Sequence, residues 1–358
     1  MINLKRKFIP TNEILKQISE IDEFKGQWNF LKNLSPVKLS TLKKVATIES
    51  IASSTRIEGS KLTDEEVEKL LSNLITTSFK TRDEQEVAGY AEVMDLVFLS
   101  FEEINITENY IKQLHSMLLK YSEKDERHRG DYKKINNSVE AFDPNGKSLG
   151  IVFETTSPFD TPYRMEILLE WLRKTLNNKD FHPIITIGMF IVEFLAIHPF
   201  QDGNGRSSRI LTTLLLLKEG YLFVPYASIE SIVEDNKDIY YASLRRTQKT
   251  LKEDLEVDYN PWINFFLNIL MKQKNNLQKK LQNIQFDNYN NLPDLSVKIL
   301  EAIKQKKKAK MVDILTFTNI NRSTVKLHIR NLLKDNYIKS FGVGKGCWYE
   351  INDRTVES

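Results

Sequence analysis

The sequence has a single cysteine, Cys347, among its 358 residues. One thiol cannot form a disulfide within the chain, and it cannot build a zinc site that needs several cysteines. This excludes the disulfide-rich and zinc-finger classes of small domain. Because proteins with few cysteines are typical of a reducing compartment, we expect a cytoplasmic protein.

Long apolar runs are also missing. The most apolar segment, residues 185–200, is interrupted by Glu193 and is shorter than the roughly 20 residues that cross a bilayer. The first seven residues include three basic ones, Lys5, Arg6 and Lys7, but they lack the apolar stretch of a signal peptide. We therefore expect no membrane partner, and we interpret residues 185–200 as a buried core helix.

Glycine and proline are scarce, at 13 and 10 residues. Their scarcity favours helix, and 41% hydrophobic with 28% charged residues is typical of a folded protein. The net charge is only +3, but it is unevenly distributed. From Pro293 onward, 13 Lys and Arg residues face seven Asp and Glu residues. The basic excess is therefore local to the C-terminal segment.

Helical apolar spacing runs through most of the chain. Residues 136–157 differ, because short β-favouring pieces flank the turn formers Asp143-Pro144-Asn145-Gly146 and predict a β-hairpin. The helical pattern predicts segments at residues 12–75, 84–99, 107–119 and 163–280, the last with breaks at Gly220 and Pro225.

The most informative segment is His198-Pro199-Phe200-Gln201-Asp202-Gly203-Asn204-Gly205-Arg206-Ser207-Ser208-Arg209. It lies between two apolar helical segments, so its polar groups are expected to face a pocket of fixed shape. Gly203 and Gly205 leave the backbone uncrowded, and consecutive N–H groups can then converge on an anion at a helix N-terminus. Arg206 and Arg209 are three residues apart and share one helix face, where both can reach a polyphosphate.

The same loop carries a metal ligand and a base. Asp202 offers the hard oxygen donor that Mg²⁺ prefers, and His198 has the pKa range of a general base. Taken singly, a histidine before proline is more often structural, and Asp-Gly-Asn-Gly is ordinary turn chemistry. Taken together, these residues predict a site for phosphoryl or nucleotidyl transfer. The other four histidines show no metal-ligand spacing, and we interpret them as structural.

This segment resembles the Fic family motif, H-P-F-x-D-G-N-G-R-x-x-R, at every specified position, and the likeness extends over about residues 1–271. The resemblance implies a mainly α fold, with a Fic-type helical core and a β-hairpin flap that holds the target hydroxyl. It implies transfer of AMP from ATP to a Tyr, Ser or Thr hydroxyl. The roles it implies are a catalytic base for His198, a Mg²⁺ ligand for Asp202, an anion hole for Gly203, Asn204, Gly205 and Arg206, and a γ-phosphate ligand for Arg209.

Two further parts of the site rest on the same resemblance. Tyr240 and Tyr241 would stack on the adenine or hydrogen-bond it, although tyrosines on a helix are more often core or rim residues. The segment Ser54-Thr55-Arg56-Ile57-Glu58-Gly59 matches the family's inhibitory pattern, [S/T]-x-x-x-E-[G/N], and would bring Glu58 onto Arg209. Read alone, a Glu before Gly is ordinary helix C-cap chemistry. In related enzymes the same glutamate can instead orient a water for AMP removal.

The C-terminal segment resembles a winged helix-turn-helix. Helices are predicted at residues 295–304, 310–316 and 321–334, followed by a two-stranded wing up to Ile351. Many winged helices bind proteins rather than DNA, so both partners stay open. The residues placed to contact DNA are Arg322, Ser323, Thr324, Lys326 and Arg330 on the recognition helix and Lys345 at the wing tip.

The sequence as a whole therefore predicts an autoinhibited protein AMP transferase that uses ATP and Mg²⁺ and modifies a target protein or itself. Two alternatives remain: a DNA-binding regulator whose Fic core only senses nucleotide, and a Fic enzyme that removes AMP or transfers another phosphate group. Assembly into a homo-oligomer is also open. The predicted domains are an N-terminal helical region at 1–80, a catalytic domain at 81–282, an Asn-rich linker at 283–294 and a winged helix at 295–358.

Overall fold

The structure, a computed structural model, describes residues 6–31, 36–72, 79–142, 148–252, 257–286, 292–306, 308–342 and 344–352. It divides into two compact units. One consists of Met1–Asn33 and Leu42–Asn276, and the other of Leu34–Thr41 and Leu277–Ser358. The domain boundaries drawn from the sequence stay predictions, and residues 287–291 of the predicted linker lie outside the described residues.

Helices dominate the chain up to residue 286. Threonines at two of their starts act as N-caps: Thr81 forms a capping box with Glu84, and Thr107 accepts from the backbone N–H of Tyr110. The described helices of this part are α1 (Asn12–Leu31), α2 (Pro36–Ile57), α3 (Asp64–Ser72), α4 (Arg82–Ser100), α5 (Glu108–Leu118), α6 (Thr161–Asn178), α7 (Pro183–Ile197), α8 (Asn204–Lys218), α9 (Ile229–Asp235), α10 (Lys237–Lys252) and α11 (Asn260–Phe286).

Helix α7 is the centre of the first unit, as its apolar sequence predicts. Nearly all of its residues are buried, and it packs against α6, α8 and α10. Its one carboxylate, Glu193, receives two hydrogen bonds from Arg6 at 2.6 Å each and one from the Tyr259 hydroxyl at 2.7 Å. These partners offset the cost of burying a charge. In the described part of the chain no helix is both long and apolar enough to span a membrane.

The predicted hairpin is present. Strands β1 (Ser138–Phe142) and β2 (Ser148–Glu154) pair antiparallel, with Ser138 opposite Glu154 and two irregularities in the register. Residues 143–147, which hold the predicted turn, lie outside the described residues. Strand β2 lies beside α10.

The second unit has the order of a winged helix. It comprises α12 (Asp294–Lys306), β3 (Ala309–Lys310), α13 (Met311–Thr318), α14 (Arg322–Lys334), β4 (Ile338–Phe341) and β5 (Trp348–Ile351), with sheet order β3-β5-β4. Its core is aliphatic and includes Ile303, Ile314, Val325 and Ile329. The sequence predicts two wing strands, whereas the sheet has a third short strand, β3, because Ala309 and Lys310 pair with β5. The predicted mainly α fold with small antiparallel sheets is confirmed.

Candidate active site

The loop between α7 and α8 is held in one shape by side chains that bond its own backbone. Asn204 bonds Phe200 at both ends: its amide donates to the Phe200 carbonyl at 2.7 Å, and its carbonyl accepts the Phe200 N–H at 2.9 Å. His198 caps α7 with a φ of 53°, a left-handed conformation that few residues with a side chain adopt. Such a conformation persists where the surroundings fix it, and it is common at functional sites.

His115, which the sequence analysis interprets only as structural, also fixes this loop. Its Nδ1 accepts the Gly130 N–H at 2.9 Å, so its Nε2–H donates to the Asp202 carbonyl, also at 2.9 Å. Its ring stacks on Phe200 with centroids 3.7 Å apart. Burial lowers the pKa of His115 to about 4, so the ring is neutral and keeps this tautomer. No local pattern indicates this role, because His115 lies 87 residues before Asp202 in the chain.

His198 itself is half-buried and oriented by one backbone contact. Its Nδ1 lies 3.3 Å from the Leu195 carbonyl; since a carbonyl only accepts, Nδ1 carries the hydrogen. The Nε2 lone pair is then left to accept a proton. Burial, followed by the charge of Lys133, lowers the pKa of His198 to about 4. The imidazole is therefore neutral near pH 7, the state a general base needs.

Asp202 follows in the loop with its carboxylate between two arginines. Arg206 lies 3.4 Å from Oδ1 and Arg82 lies 3.2 Å from Oδ2. Burial alone would raise the pKa of Asp202, but Arg206, the Gly203 N–H and Arg82 outweigh it, and the pKa is lowered. The side chain is ionised yet 34% exposed. Within the described residues no group of three acidic, histidine or cysteine side chains forms a protein-only metal site. A single ionised and accessible carboxylate fits Mg²⁺ bound mainly by phosphate oxygens and water.

The first turn of α8 follows Gly203, which has a φ of 77°. The first N–H groups of a helix have no carbonyl partner inside it, and together with the helix dipole they favour an anion. Arg206 is only 1% exposed and lies 3.1 Å from Glu86 of α4. It is therefore fixed beside this N-terminus before any ligand binds.

Arg209, one turn further along α8, is bonded to the end of α2. Its Nη2 donates to Glu58 Oε1 at 2.8 Å and to the Ser54 carbonyl at 2.9 Å, and its Nε donates to the Ser54 hydroxyl at 2.8 Å. Burial opposes ionisation of Glu58, but Arg209 and Arg206 outweigh it and lower the pKa of Glu58. The structure therefore brings together three residues from two distant sequence motifs.

The Glu58 carboxylate also lies directly on the glycine loop. A Cβ placed on Gly205 would collide with Glu58 Oε1, so the glycine leaves room for the carboxylate at this position. Gly59 follows with a φ of 108°, in the region that favours glycine, and turns the chain away after α2. An internal carboxylate thus lies against the first turn of α8, paired with Arg209.

The segment from Ser54 to Gly59 has a further anchor that the resemblance does not specify. Arg56 makes two hydrogen bonds to Glu234 of α9, at 2.7 and 2.9 Å, and one to Asp64 at 2.8 Å. These contacts fix the last turn of α2, and with it Glu58, against two neighbouring helices.

The two tyrosines proposed for adenine occupy different environments. Tyr240 is 5% exposed, and its ring packs against Tyr241, Trp262 and Phe265 with centroids 5.0 to 5.8 Å apart. Burial raises its pKa. Its ring is a core element in this structure, whereas Tyr241 is only half-buried and is the better placed of the two to meet a ligand.

Comparison with known proteins agrees with this geometry. The Fic/DOC family matches residues 105–216, and the winged helix-turn-helix DNA-binding family matches residues 292–339. The protein adenylyltransferase Fic of Drosophila mojavensis is 27% identical over 208 residues, which is 58% of this chain but only 38% of that protein. The chain thus matches well under half of the length of this relative.

Solved structures show the same fold. A Fic family protein from Desulfovibrio desulfuricans G20 aligns with a TM-score of 0.63 and 22% identity, covering 96% of this chain and 97% of its own. A Fic domain containing signaling protein from Bacteroides thetaiotaomicron aligns with a TM-score of 0.60 and 23% identity, covering 74% of this chain and 97% of its own. The chain therefore carries a domain of the Fic/DOC family, followed by a C-terminal winged helix-turn-helix domain.

Proposed function

We propose that this protein transfers AMP from ATP to a hydroxyl group of a target protein or of its own chain. The observation that carries the proposal is the carboxylate of Glu58 beside Gly205 and on Arg209, because it supports an anion-binding role for the first turns of α8. A neutral histidine stands at the other end of the same loop. The relatives named protein adenylyltransferase support the same activity.

The reaction needs a base and a stabilised phosphorus centre. The Nε2 of His198 takes the proton of the target hydroxyl as its oxygen attacks the α-phosphorus. The bond from the α-phosphorus to the oxygen bridging to the β-phosphate breaks, and pyrophosphate leaves. Negative charge grows on the non-bridging oxygens, where the N–H groups at the start of α8 and Arg206 stabilise it. Asp202 would hold Mg²⁺, which supplies charge neutralisation on the phosphates.

We propose that Glu58 inhibits this reaction. ATP brings a γ-phosphate that requires Arg209, and Glu58 already holds that guanidinium at 2.8 Å. The glutamate must therefore move aside before the triphosphate lies in register with His198. A role for Glu58 in orienting water for AMP removal uses the same position and is tested by the same measurement. The reducing cytoplasm, rich in ATP, suits this activity and the free Cys347.

Intact-mass measurement after incubation with ATP and Mg²⁺ tests the activity. Transfer of AMP adds about 329 Da and transfer of a phosphate about 80 Da, the masses of a nucleotidyl and a phosphoryl group. The measurement uses the Glu58→Gly variant, which lacks the proposed inhibitory carboxylate, and the protein itself serves as the acceptor of AMP. A gain of one phosphate, or loss of AMP from a modified chain without any gain, would replace the proposal with one of the alternative reactions.

We propose DNA as a second partner, bound by the winged helix. Arg322, Lys326 and Arg330 are all exposed on α14, where they can meet phosphates or bases in a groove. Lys345 lies in a short turn between β4 and β5, and its side chain is outside the described residues. A mobility shift that weakens with salt supports DNA binding; its absence at low salt contradicts it.

A further inference from the structure

Lys133 is buried without the partner that buried lysines usually have. Its side chain is only 3% exposed, and its ammonium donates to three neutral oxygens: Asn137 Oδ1 at 2.9 Å, Thr155 Oγ1 at 2.7 Å and the Ile197 carbonyl at 3.0 Å. In the described part of the chain no carboxylate lies within ion-pair distance of it. Lysine is almost never fully buried unless paired, because desolvation of the charge is costly. Burial lowers the pKa of Lys133 to about 8.

The three acceptors belong to two parts of the protein, the ends of the hairpin and the end of α7. Asn137 precedes β1 and Thr155 follows β2, so they are the two ends of the hairpin. Ile197 is the last residue of α7 and directly precedes His198. One ammonium group therefore ties both ends of the hairpin to the peptide bond next to the base.

The loop after His198 is held by the same segment of chain. The backbone N–H of Lys133 donates to the Pro199 carbonyl at 2.8 Å, and the Asn137 amide donates to the Phe200 carbonyl at 2.7 Å. Carbonyls on both sides of His198 are thus fixed by residues 133 and 137. The left-handed backbone of His198 has its support here.

We propose that Lys133 is a positioning residue of the active site, which holds the hairpin and the loop of His198 in one arrangement so that the bound hydroxyl meets Nε2. This inference rests on the proposed AMP transfer. This role accounts for the buried cation. Three acceptors surround Nζ, and an ammonium group has three hydrogens, so it can donate to all three.

The charges acting on His198 give this role a second readout. Lys133 lowers the pKa of His198, while Glu58 and Asp202 raise it. Transfer requires neutral His198, so the rate falls as the pH drops through that pKa. Removing the Lys133 charge raises the pKa of His198, and the acid limb of the pH–rate profile moves to higher pH.

The test compares variants made in the Glu58→Gly background, so that Glu58 affects none of them. Lys133→Met removes the cation at similar length, and Lys133→Arg keeps it with a different shape. Lys134→Met is the matched control, because Lys134 is the neighbouring lysine with a 75% exposed side chain paired to Asp131. If the Glu58→Gly parent adds no AMP, the proposed function fails, and that result is separate from the failure of Lys133.

We expect Lys133→Met to slow transfer by about 10- to 100-fold, as a slight displacement of reacting groups does. Binding of a non-hydrolysable ATP analogue, measured by calorimetry, should not change, since residues 202–209 are untouched. The acid limb of the pH–rate profile should move to higher pH in Lys133→Met. It should stay at the parental pH in Lys133→Arg. Lys134→Met should match the parent throughout.

Thermal melting shows whether Lys133→Met folds. If it does not, Thr155→Val removes one acceptor from a half-buried position and should slow transfer with the same unchanged affinity for the ATP analogue. The proposal is overturned if Lys133→Met or, in its place, Thr155→Val transfers AMP at the parental rate, or if analogue affinity falls in step with the rate.

Discussion

Helices α8 and α14 both begin beside basic side chains, but the first start is buried and the second faces solvent. At α8, Arg206 and Arg209 are 1% and 6% exposed, and each forms an ion pair with a carboxylate. At α14, Arg322, Lys326 and Arg330 are exposed, and Asn321 caps the helix through the Thr324 N–H at 3.0 Å.

The difference separates two kinds of anion recognition. Arg206 paired with Glu86 and Arg209 bonded to Ser54 are buried and cannot rearrange at low cost, so they fit one ligand in one orientation, as chemistry on a phosphate requires. Exposed arginines and lysines keep their freedom and hydration, so they suit a long polyanion bound mainly through charge. The same residue types thus predict catalysis at one helix and surface binding at the other.

The largest effect is expected from removing the base at the buried site. In the Glu58→Gly background, His198→Ala should lower AMP transfer by about 10²- to 10⁴-fold, because no other group takes the hydroxyl proton. Labelling with isotopic ATP measures it, and binding of the DNA probe should be unchanged. Full transfer without His198 would break the assignment of catalysis to the α8 region.

The next largest effect is expected from removing the carboxylate that is paired with Arg209 at the buried site. Glu58→Gly should raise ATP affinity by about 10- to 100-fold, the worth of one charge-assisted hydrogen bond released from Arg209. Calorimetry with ATP and Mg²⁺ measures the affinity, and intact mass follows self-modification. Equal ATP affinity in the two proteins would contradict the proposed inhibitory role of Glu58.

A smaller effect is expected from loosening the last turn of α2. Arg56→Ala removes the contacts with Glu234 and Asp64, and it should raise self-modification about three- to tenfold, since the pair is partly exposed. In the Glu58→Gly background it should add nothing, because there is no carboxylate left to hold.

Lys44→Ala is the matched control for this change. Lys44 is on the same helix and pairs with Glu68 of α3 at 2.9 Å, with both side chains well exposed. It should leave activity unchanged. An equal rise in both variants would mean that general loosening of α2, rather than the Arg56 contacts, controls the site.

The smallest effect is expected from removing one exposed lysine of α14. Lys326→Ala should weaken DNA binding evenly across sequences and reduce the slope of log affinity against log salt by about 1. AMP transfer should be unaffected. If the variant loses affinity for only one DNA sequence, Lys326 contacts a base in that sequence. Helix α14 would then recognise a specific ligand, as is proposed for α8.

The sequence alone predicted the parts that depend on local pattern. The apolar run of α7, the hairpin with its β-favouring ends and the helices of the second unit follow from periodicity and turn residues, and each is present. The loop from His198 to Arg209 was readable because its residues are contiguous. The third sheet strand was not predicted, since two residues carry too little pattern.

The tertiary structure decided the rest, because it brings together residues that are far apart in the chain. The start of a helix and the conformation of a glycine loop depend on a few neighbouring residues, so the local sequence predicts them. It cannot show that His115 bonds the Asp202 carbonyl, that Tyr240 is packed among aromatic rings, or that Lys133 ties the hairpin to the loop of His198. Those contacts depend on how the helices pack, and the packing depends on which apolar side chains are buried throughout the first unit.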